Sequence, residues 1–139
     1  MDFKDIAAVS GKGGLFKVIK PTKTGVILES LDETKTKLVT TISQKVSVLA
    51  EISVYSTGEE ETVPLQDVFV KIKEEFDDDP GVDKNADPEE LKSFLGHILP
   101  DYDRDRVYVS DIKKIVNWYL ILYKYAPELL DNITEEESE

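Results

Sequence analysis

The spacing of apolar residues in this chain changes from a strand-like to a helix-like period, and the sign of the charge changes with it. Residues 1–50 hold eight Lys against five Asp and Glu, a net charge of +3. Residues 51–139 hold nine Lys and Arg against 24 Asp and Glu, a net charge of −15. Because the two changes fall close together, we predict a small β domain followed by an acidic helical segment.

Short apolar runs separated by turn-forming residues fill the first part of the chain. A parallel sheet would need crossover helices, and these connections leave no room for them. Short strands joined by tight turns instead predict a small, strongly bent antiparallel barrel. The predicted strands are residues 15–20, 26–30, 37–42, 52–55 and 62–63. Before them, residues 2–10 are predicted to form one or two helical turns, with Asp2 as N-cap and Gly11 as the stop.

From residue 65 onward the apolar residues follow a helical period. They fall at positions i, i+3, i+4, i+7 and i+11, which form one stripe on a helix. The members of this stripe are Leu65, Val68, Phe69, Ile72 and Phe76. Pro64 stands at the start of the helix, where a missing N–H costs little. We expect this helix to lie across an open end of the barrel.

Two more helices are predicted after an acidic stretch. Asp87 and Pro88 provide an N-cap followed by proline at the first helical position, and the apolar stripe runs to Ile98. The segment 110–111, Ser followed by Asp, is predicted to cap a third helix that runs to about Tyr125. A polar loop separates these two helices, so together they form a helix–loop–helix.

The composition excludes several classes of chemistry. The chain has no Cys, so it has no disulfide, no thiolate nucleophile and no Cys-ligated zinc. No leader pattern is visible at the N-terminus, and no apolar run approaches the roughly 18 residues that a membrane crossing needs. We therefore expect a cytoplasmic protein with no membrane partner. The net charge of −12 argues against nucleic-acid binding by the whole surface.

One glycine-rich segment, residues 10–17, resembles the deviant phosphate-binding loop of the partitioning and division ATPases. Such a loop needs a final glycine and then a hydroxyl that holds Mg²⁺, but Phe16 and Val18 occupy those positions. It should also open a helix, whereas the residues that follow are strand-like and meet Pro21. We interpret the segment as a glycine turn before the first strand.

Two further groups suggest chemistry, and the sequence argues against both. Residues 101–105 have the D-x-D-x-D opening of a calcium loop, but Arg106 and Ile112 stand where a Gly and a bidentate acid are required. His97 is the single histidine, and no nucleophile motif accompanies it. We therefore expect no enzyme activity, no catalytic, metal-binding or cofactor-binding residues, no cofactor and no small-molecule substrate.

The lysines of the β part are a candidate nucleic-acid surface, because on a small barrel they would line one face and meet phosphates as point charges. The candidates are Lys12, Lys17, Lys20, Lys23, Lys35 and Lys37. A single-strand platform also needs exposed aromatic rings, and Phe16 and Tyr55 lie in strand patterns that suggest burial. Two other interpretations stay open. The lysines solvate the outer faces of strands, or they face acidic helices of the same chain or of a second copy.

The third predicted helix is apolar nearly all round between Trp118 and Tyr123. Such a helix is either central to a core or covers a partner, and a region this small has difficulty burying every side. Trp and Tyr are also common anchors of protein interfaces. We predict partner contacts through Trp118, Tyr119, Leu122 and Tyr123. The alternative is that packing within the chain buries the whole helix.

Two resemblances extend this prediction. Residues 9–69 resemble an SH3-like barrel, and the runs 14–19 and 24–29 are similar to the paired first strands of ribosome- and transcription-associated barrels of the KOW type. Over its whole length the chain resembles a family of bacterial proteins of unknown function. The segments that carry this second resemblance are residues 10–16, 63–65 and 107–119. It implies a barrel followed by a small helical domain, and it supplies no activity and no functional residue.

The combined prediction is an α+β protein of four parts. Residues 1–76 form an SH3-like antiparallel β-barrel with a C-terminal capping helix, 77–87 an acidic linker, 88–132 a helical domain and 133–139 a disordered acidic tail. The predicted function is a non-enzymatic adaptor that binds a protein partner or a second copy of itself, through the aromatic helix or a groove on the barrel. The alternative is an RNA- or ribosome-associated factor that uses the Lys-rich barrel face.

Overall fold

The computed structural model describes residues 2–41 and 43–130. The chain separates into two compact units, Met1–Ile52 and Ser53–Glu139. The first unit contains a five-stranded antiparallel sheet, and the second contains a two-stranded sheet and three helices. The predicted α+β class is confirmed. The predicted tail at 133–139 lies outside the described residues.

The N-terminal unit is built on one antiparallel sheet. Its strands are β1 (Ile6–Val9), β2 (Phe16–Pro21), β3 (Val26–Ser30), β4 (Lys37–Val39) and β5 (Val46–Val48). They lie in the order β4-β3-β2-β1-β5. Among the described residues, β4 and β5 are the two edges and the sheet is not closed. The prediction of a small, strongly bent barrel is therefore corrected to a five-stranded open sheet, because each three-residue edge strand pairs with a single neighbour.

One face of this sheet is apolar, and the other carries charges. Phe16 and Leu28 are buried on the first face, in the core cluster of the unit. On the second face Lys17 lies opposite Glu29 across β2 and β3, and Glu29 lies opposite Lys37 across β3 and β4. Because successive residues of a strand point to opposite faces, this register keeps the lysines away from the core.

Two parts of the N-terminal prediction are wrong. Residues 6–9 form β1, and only Phe3–Asp5 makes a 3₁₀ turn in place of the predicted helical turns. β1 is a central strand that pairs with β2 and β5 and buries Ile6 and Ala7 completely. β5 has no counterpart in the prediction. Pairing between distant segments decides both cases, since strand preference depends on the neighbours more than on the local sequence.

The C-terminal unit begins with a hairpin and continues as helices. Its elements are β6 (Ser53–Tyr55), β7 (Thr62–Pro64), α1 (Leu65–Phe76), α2 (Pro88–Ile98), α3 (Val109–Tyr125) and a final 3₁₀ turn (Pro127–Leu130). β6 and β7 pair antiparallel, and α1 follows β7 directly. The three predicted helices are confirmed, since the spacing of apolar residues identifies a helix over several turns.

The first helix, α1, packs within the C-terminal unit, where it contacts β7, α2 and the final 3₁₀ turn. The rings of Phe69 and Tyr119 are 6.2 Å apart, and those of Phe76 and Phe94 are 5.5 Å apart. The structure therefore divides the chain between Ile52 and Ser53. The prediction instead groups this helix with the N-terminal strands and places a linker at 77–87.

Candidate binding surfaces

Two of the four predicted partner-binding residues lie in the core. Tyr119 and Leu122 are 0% exposed, whereas Trp118 and Tyr123 are partly exposed. Successive residues of a helix are rotated by about 100° around its axis, so Trp118 lies on a different side of α3 from the buried Tyr119. Packing within the unit accounts for Tyr119 and Leu122, and it leaves Trp118 and Tyr123 within reach of a partner.

Asp77 joins the end of α1 to α3. The Tyr119 hydroxyl donates to the Asp77 carbonyl oxygen, and the Tyr123 hydroxyl donates to the Asp77 carboxylate at 3.2 Å. Burial raises the pKa of both hydroxyls, and the nearby Asp77 adds to the effect. Asp77 also has a backbone φ of +55°, a value that residues other than glycine rarely adopt. The start of the acidic segment 77–79 is therefore a structural junction.

The outward side of α3 is basic, although the unit around it is acidic. We define the basic strip as Lys113, Lys114, Trp118, Ile121 and Lys124. Its three lysines are exposed, and its two apolar residues are partly exposed. The single acid of α3, Asp111, is engaged at the start of the helix, where its carboxylate accepts the Tyr108 N–H at 2.9 Å. Within α3 the three lysines of the strip therefore outnumber the single carboxylate.

The six candidate lysines of the N-terminal unit are spread over the sheet and its loops. Three lie in strands (Lys17, Lys20 and Lys37), and three lie in separate loops (Lys12, Lys23 and Lys35). Lys37 Nζ is 2.7 Å from Glu29 Oε2, and Lys17 faces the same carboxylate in the sheet register. The hydrogen bond from Lys37 holds the pKa of Glu29 below its ordinary value, so the carboxylate stays charged between two lysines.

The described residues of the N-terminal unit offer no exposed aromatic ring to a nucleobase. The two aromatic residues of this unit, Phe3 and Phe16, are 3% and 8% exposed. Tyr55 is 44% exposed, but it belongs to the C-terminal unit. The lysines therefore stand without the stacking surface that single-strand binding uses.

The motifs that the sequence analysis set aside occupy ordinary structural positions. Gly11 and Gly14 have φ values of +83° and +78° in a loop that leads into a strand. His97 Nε2 lies 3.1 Å from Glu75 Oε1 at an exposed position. Within residues 2–41 and 43–130, no three potential metal-ligating side chains converge. In the same ranges, no helix has the length and hydropathy to cross a membrane.

The contacts between the two arginines and two tyrosines are only partly visible in the sequence. Both arginines of the chain lie in the loop before α3, and each guanidinium covers a tyrosine ring. Arg104 Cζ is 4.3 Å from the ring centroid of Tyr102, and Arg106 Cζ is 4.3 Å from that of Tyr55. The sequence carries a partial signal, since its only arginines stand beside Tyr102. Tyr55 is distant in the chain, and only the fold brings it to Arg106.

Asp103 holds this loop in shape. Its carboxylate accepts the Arg106 Nε–H at 2.9 Å through one oxygen and the Asp105 N–H at 2.9 Å through the other. The hydrogen bond from Arg106 lowers the pKa of Asp103, and Asp103 raises the pKa of Arg106. The Asp103 N–H donates to the Tyr55 carbonyl oxygen at 2.9 Å. The central acid of the D-x-D-x-D segment is therefore committed to the loop itself.

Family comparisons match both parts of the chain. Residues 52–122 match the Domain of unknown function (DUF6852), and residues 3–49 match the Domain of unknown function (DUF5606). The chain belongs to the DUF6852 family. The boundary between the two matches falls beside the division of this DUF6852 protein into two units.

The chain is also similar to a solved structure over most of its length. A solution NMR structure of a Bacteroides vulgatus protein is 35% identical to this DUF6852 protein, and the match covers 90% of this chain and 88% of that chain, with a TM-score of 0.70. No curated protein matches the chain. The predicted membership of an uncharacterised bacterial family is confirmed.

Proposed function

We propose that this DUF6852 protein is a non-enzymatic binding module that engages an acidic protein partner through the basic strip of α3. The observation that carries the proposal is the reversal of charge along this helix. α3 holds three of the nine basic residues of the C-terminal half and one of its 24 acidic residues. A local reversal of this kind attracts an oppositely charged surface and orients its approach.

Trp118 and Ile121 supply the apolar centre of the strip. They lie one helical turn apart on the same side of α3, and both are partly exposed. Trp is enriched among the residues that dominate binding free energy, and charged residues usually form the solvated rim around such a centre. Tyr119 and Leu122 then have a supporting role, because their burial fixes α3 in place.

A different protein fits this strip better than a second copy does. If two copies paired α3 against α3, lysines of one copy would meet lysines of the other, and like charges across an interface oppose association. A partner with a short acidic segment meets the local positive charge at contact distance. The remaining acids of the chain matter less there, since salt screens exposed charges beyond about 8 Å at physiological ionic strength.

Three finer expectations belong to the same proposal. The N-terminal unit is an SH3-like small β-fold of KOW type, which is supported by its five short antiparallel strands with β1 between β2 and β5. The non-enzymatic character is supported by the commitment of Asp103 to Arg106. A cytoplasmic location is supported by a sequence without Cys.

The partner can be captured from the strip itself. We would replace Ile121 in the full chain with the photoreactive benzoylphenylalanine and cross-link in cells of the source organism. The same replacement at Lys92, an exposed residue of α2, is the control. We expect a protein cross-linked from position 121 and absent from position 92, with an acidic segment at the cross-linked site. Sedimentation velocity of the unmodified chain should show a monomer.

Affinity measurements with the purified partner then test the proposal. Trp118→Ala should weaken binding by roughly 30-fold, the loss typical of an interface hot spot. Lys113→Glu combined with Lys114→Glu should weaken it strongly at low salt and less at high salt. Lys92→Glu should leave the affinity unchanged. A dimer in sedimentation, or a partner that binds all variants equally, would contradict the proposal.

RNA binding by the N-terminal lysines is the second candidate. The net charge of +3 in residues 1–50 favours it. The pairing of Lys37 with Glu29 and the burial of Phe16 weaken it. If the candidate holds, a labelled oligouridylate binds with an affinity that falls steeply between about 50 and 200 mM salt, and Lys17→Gln weakens it further. Absence of saturable binding at the lower salt concentration would remove this candidate.

A further inference from the structure

The loop before α3 and the β6–β7 hairpin together expose an unusual set of side chains. We define the arginine–tyrosine surface as Tyr55, Arg104, Arg106 and Tyr108. Among residues 53–130, Tyr55 and Tyr108 are the large hydrophobic side chains that stay exposed, at 44% and 64%. The Arg106 guanidinium lies over the Tyr55 ring, and Tyr108 follows Arg106 by two residues in the chain. Tyr and Arg are residue types enriched at the centres of protein interfaces.

This surface is held in shape before any partner arrives. The Thr57 N–H donates to the Asp101 carbonyl oxygen at 2.8 Å, which ties the loop to the hairpin. The Arg106 guanidinium is fixed from two sides, by the Asp103 carboxylate at 2.9 Å and by the Tyr55 ring at 4.3 Å. Fixing a side chain in advance reduces the entropy that binding would otherwise cost.

The fixed guanidinium keeps donors for a ligand. Arg106 uses Nε for Asp103, and its two terminal nitrogens donate to no acceptor among the described residues. Arg104 donates through one terminal nitrogen to the carbonyl oxygens of Pro100 and Tyr102, at 3.1 and 2.9 Å. Free guanidinium N–H groups match the two oxygens of a carboxylate, which they bind in bidentate fashion.

We propose that the arginine–tyrosine surface is a second binding site, which recognises a carboxylate side chain within an acidic, partly apolar segment of a protein partner. Arg106 holds the carboxylate and Tyr55 covers the apolar side chain next to it, while Arg104 and Tyr108 extend the surface along the same loop. This site shares no residue with the basic strip of α3. Its proposal depends on the contacts of the loop before α3 and not on the charge of the helix.

A nucleic acid is a poorer ligand for this surface. Nucleic-acid backbones carry closely spaced phosphates and need several neighbouring cations. Here acids surround the arginines. Asp103 forms an ion pair with Arg106, and the negative charge of Glu61 is close enough to raise the pKa of Arg106. Asp101 and Asp105 lie in the same loop. A single carboxylate can occupy the unused donors and is repelled by these acids as one charge, whereas a row of phosphates is repelled at every charge. The local charges therefore favour a protein segment.

An NMR titration of the full chain tests the site. The probes are two blocked pentapeptides of leucine and serine, one with a single central glutamate and the other with glutamine in its place. We expect saturable shifts of the Arg104 and Arg106 Nε–H signals and of the Tyr55 and Tyr108 amides with the glutamate peptide. The glutamine peptide should bind at least about tenfold more weakly, since charge-assisted hydrogen bonds are about twice as strong as neutral ones. Equal binding of both peptides would overturn the proposal.

Variants separate recognition from folding. Tyr108→Ala removes an exposed ring and should weaken the glutamate peptide several-fold without changing the melting temperature. Arg106→Lys keeps the charge but loses the planar fork, and it should weaken binding by about tenfold. Lys92→Gln is the matched control for loss of a distant charge and should have no effect. Full affinity in Tyr108→Ala and Arg106→Lys would contradict the proposal.

Two further outcomes decide between ligands and between sites. Tighter binding of an oligouridylate than of the glutamate peptide, with shifts at the same arginines, would overturn the choice of a protein ligand. Lys113→Glu combined with Lys114→Glu should leave the peptide affinity nearly unchanged. If that double variant abolished peptide binding, the peptide would be bound by the basic strip, and the second site would be rejected while the proposed function stood.

Discussion

The two units of this protein present their positive charges in different surroundings. In the N-terminal unit, Lys17 and Lys37 share one carboxylate, and both aromatic residues are buried. In the C-terminal unit, Arg106 covers the exposed ring of Tyr55, and the lysines of α3 flank Trp118. The first surface suits hydration, and the second combines charge with apolar area.

The net charge of a region is therefore a poor guide to where side chains typical of interfaces lie. Residues 1–50 carry +3 and residues 51–139 carry −15, yet the side chains typical of interfaces lie in the second region. Exposed charges are screened within about 10 Å at 0.1 M salt. The immediate neighbours of a cation therefore decide its use more than the sum over half a chain.

The largest expected effect tests whether α3 is core on one side and surface on the other. Leu122→Ala empties a fully buried position and should lower the free energy of unfolding by about 2–5 kcal/mol. Ile121→Ala, on the partly exposed side, is the control and should cost much less. Denaturant unfolding followed by the fluorescence of Trp118, the single tryptophan, measures both. Equal losses would erase the distinction between the two sides.

The next effect concerns the N-terminal unit. A Cβ added at Gly25 would lie 1.8 Å from the Thr40 carbonyl oxygen, whereas one added at Gly13 would have nothing within 4 Å. Gly25→Ala should therefore lower the free energy of unfolding by about 3 kcal/mol, because backbone must move. Gly13→Ala, the matched control, should change it by less than about 0.5 kcal/mol. Amide hydrogen exchange in β2 and β3 measures both.

The same variant tests whether the two units unfold independently. If Gly25→Ala shifted the fluorescence midpoint of Trp118 as far as it shifted the exchange of β2 and β3, the two regions would share one unfolding transition. They would then have to be treated as one cooperative body. A shift confined to the sheet would keep the two regions separate.

A smaller effect separates the structural hydroxyl of α3 from the exposed one. Tyr119→Phe keeps the ring against Phe69 but removes the hydrogen bond to the Asp77 carbonyl, and it should cost about 1 kcal/mol. Tyr123→Phe removes an exposed bond of 3.2 Å and should cost less. Denaturant unfolding of the two variants checks the order. A larger loss of unfolding free energy for Tyr123→Phe would show that the Tyr123 hydroxyl contributes more to the fold than the Tyr119 hydroxyl does.

The smallest effect concerns the loop that carries the arginines. Because the hydrogen bond from Arg106 lowers the pKa of Asp103 below its usual 3.8, the charged pair stabilises the folded state above that pH. Its contribution is lost as the pH falls through the folded-state pKa. Asp103→Asn should lower the Tm at neutral pH, and the gap to the wild type should close below about pH 3.8.

Thermal unfolding of the wild type and of Asp103→Asn between neutral pH and pH 3 measures how the difference in Tm changes with pH. Asp105→Asn, which leaves the Asp103–Arg106 pair intact, is the control and should show no such closing. A Tm difference for Asp103→Asn that stays constant with pH would contradict the assigned role of the pair.

Elements with a long or well-bounded apolar pattern could be predicted, and elements defined by pairing could not. α1 and α2 follow from several turns of regular spacing, and β3 follows from a run bounded by Gly25 and a turn. β1 is a run of four apolar residues that fits a buried strand or a helical turn equally well, and its pairing with β2 on one side and β5 on the other makes it a strand. Strand pairing is a property of distant segments, so no window of sequence contains it.

Local sequence alone predicts the α+β class, the three helices, the charge split and the apolar helix from which the proposed binding strip derives. The tertiary structure decided which residues of that helix are buried, and it alone brought Tyr55 to Arg106. It also left the N-terminal sheet open and joined α1 to the C-terminal helices. The physical reason is that local spacing encodes which side of an element is apolar. Packing between elements decides which part of that side is covered, and which distant side chains meet.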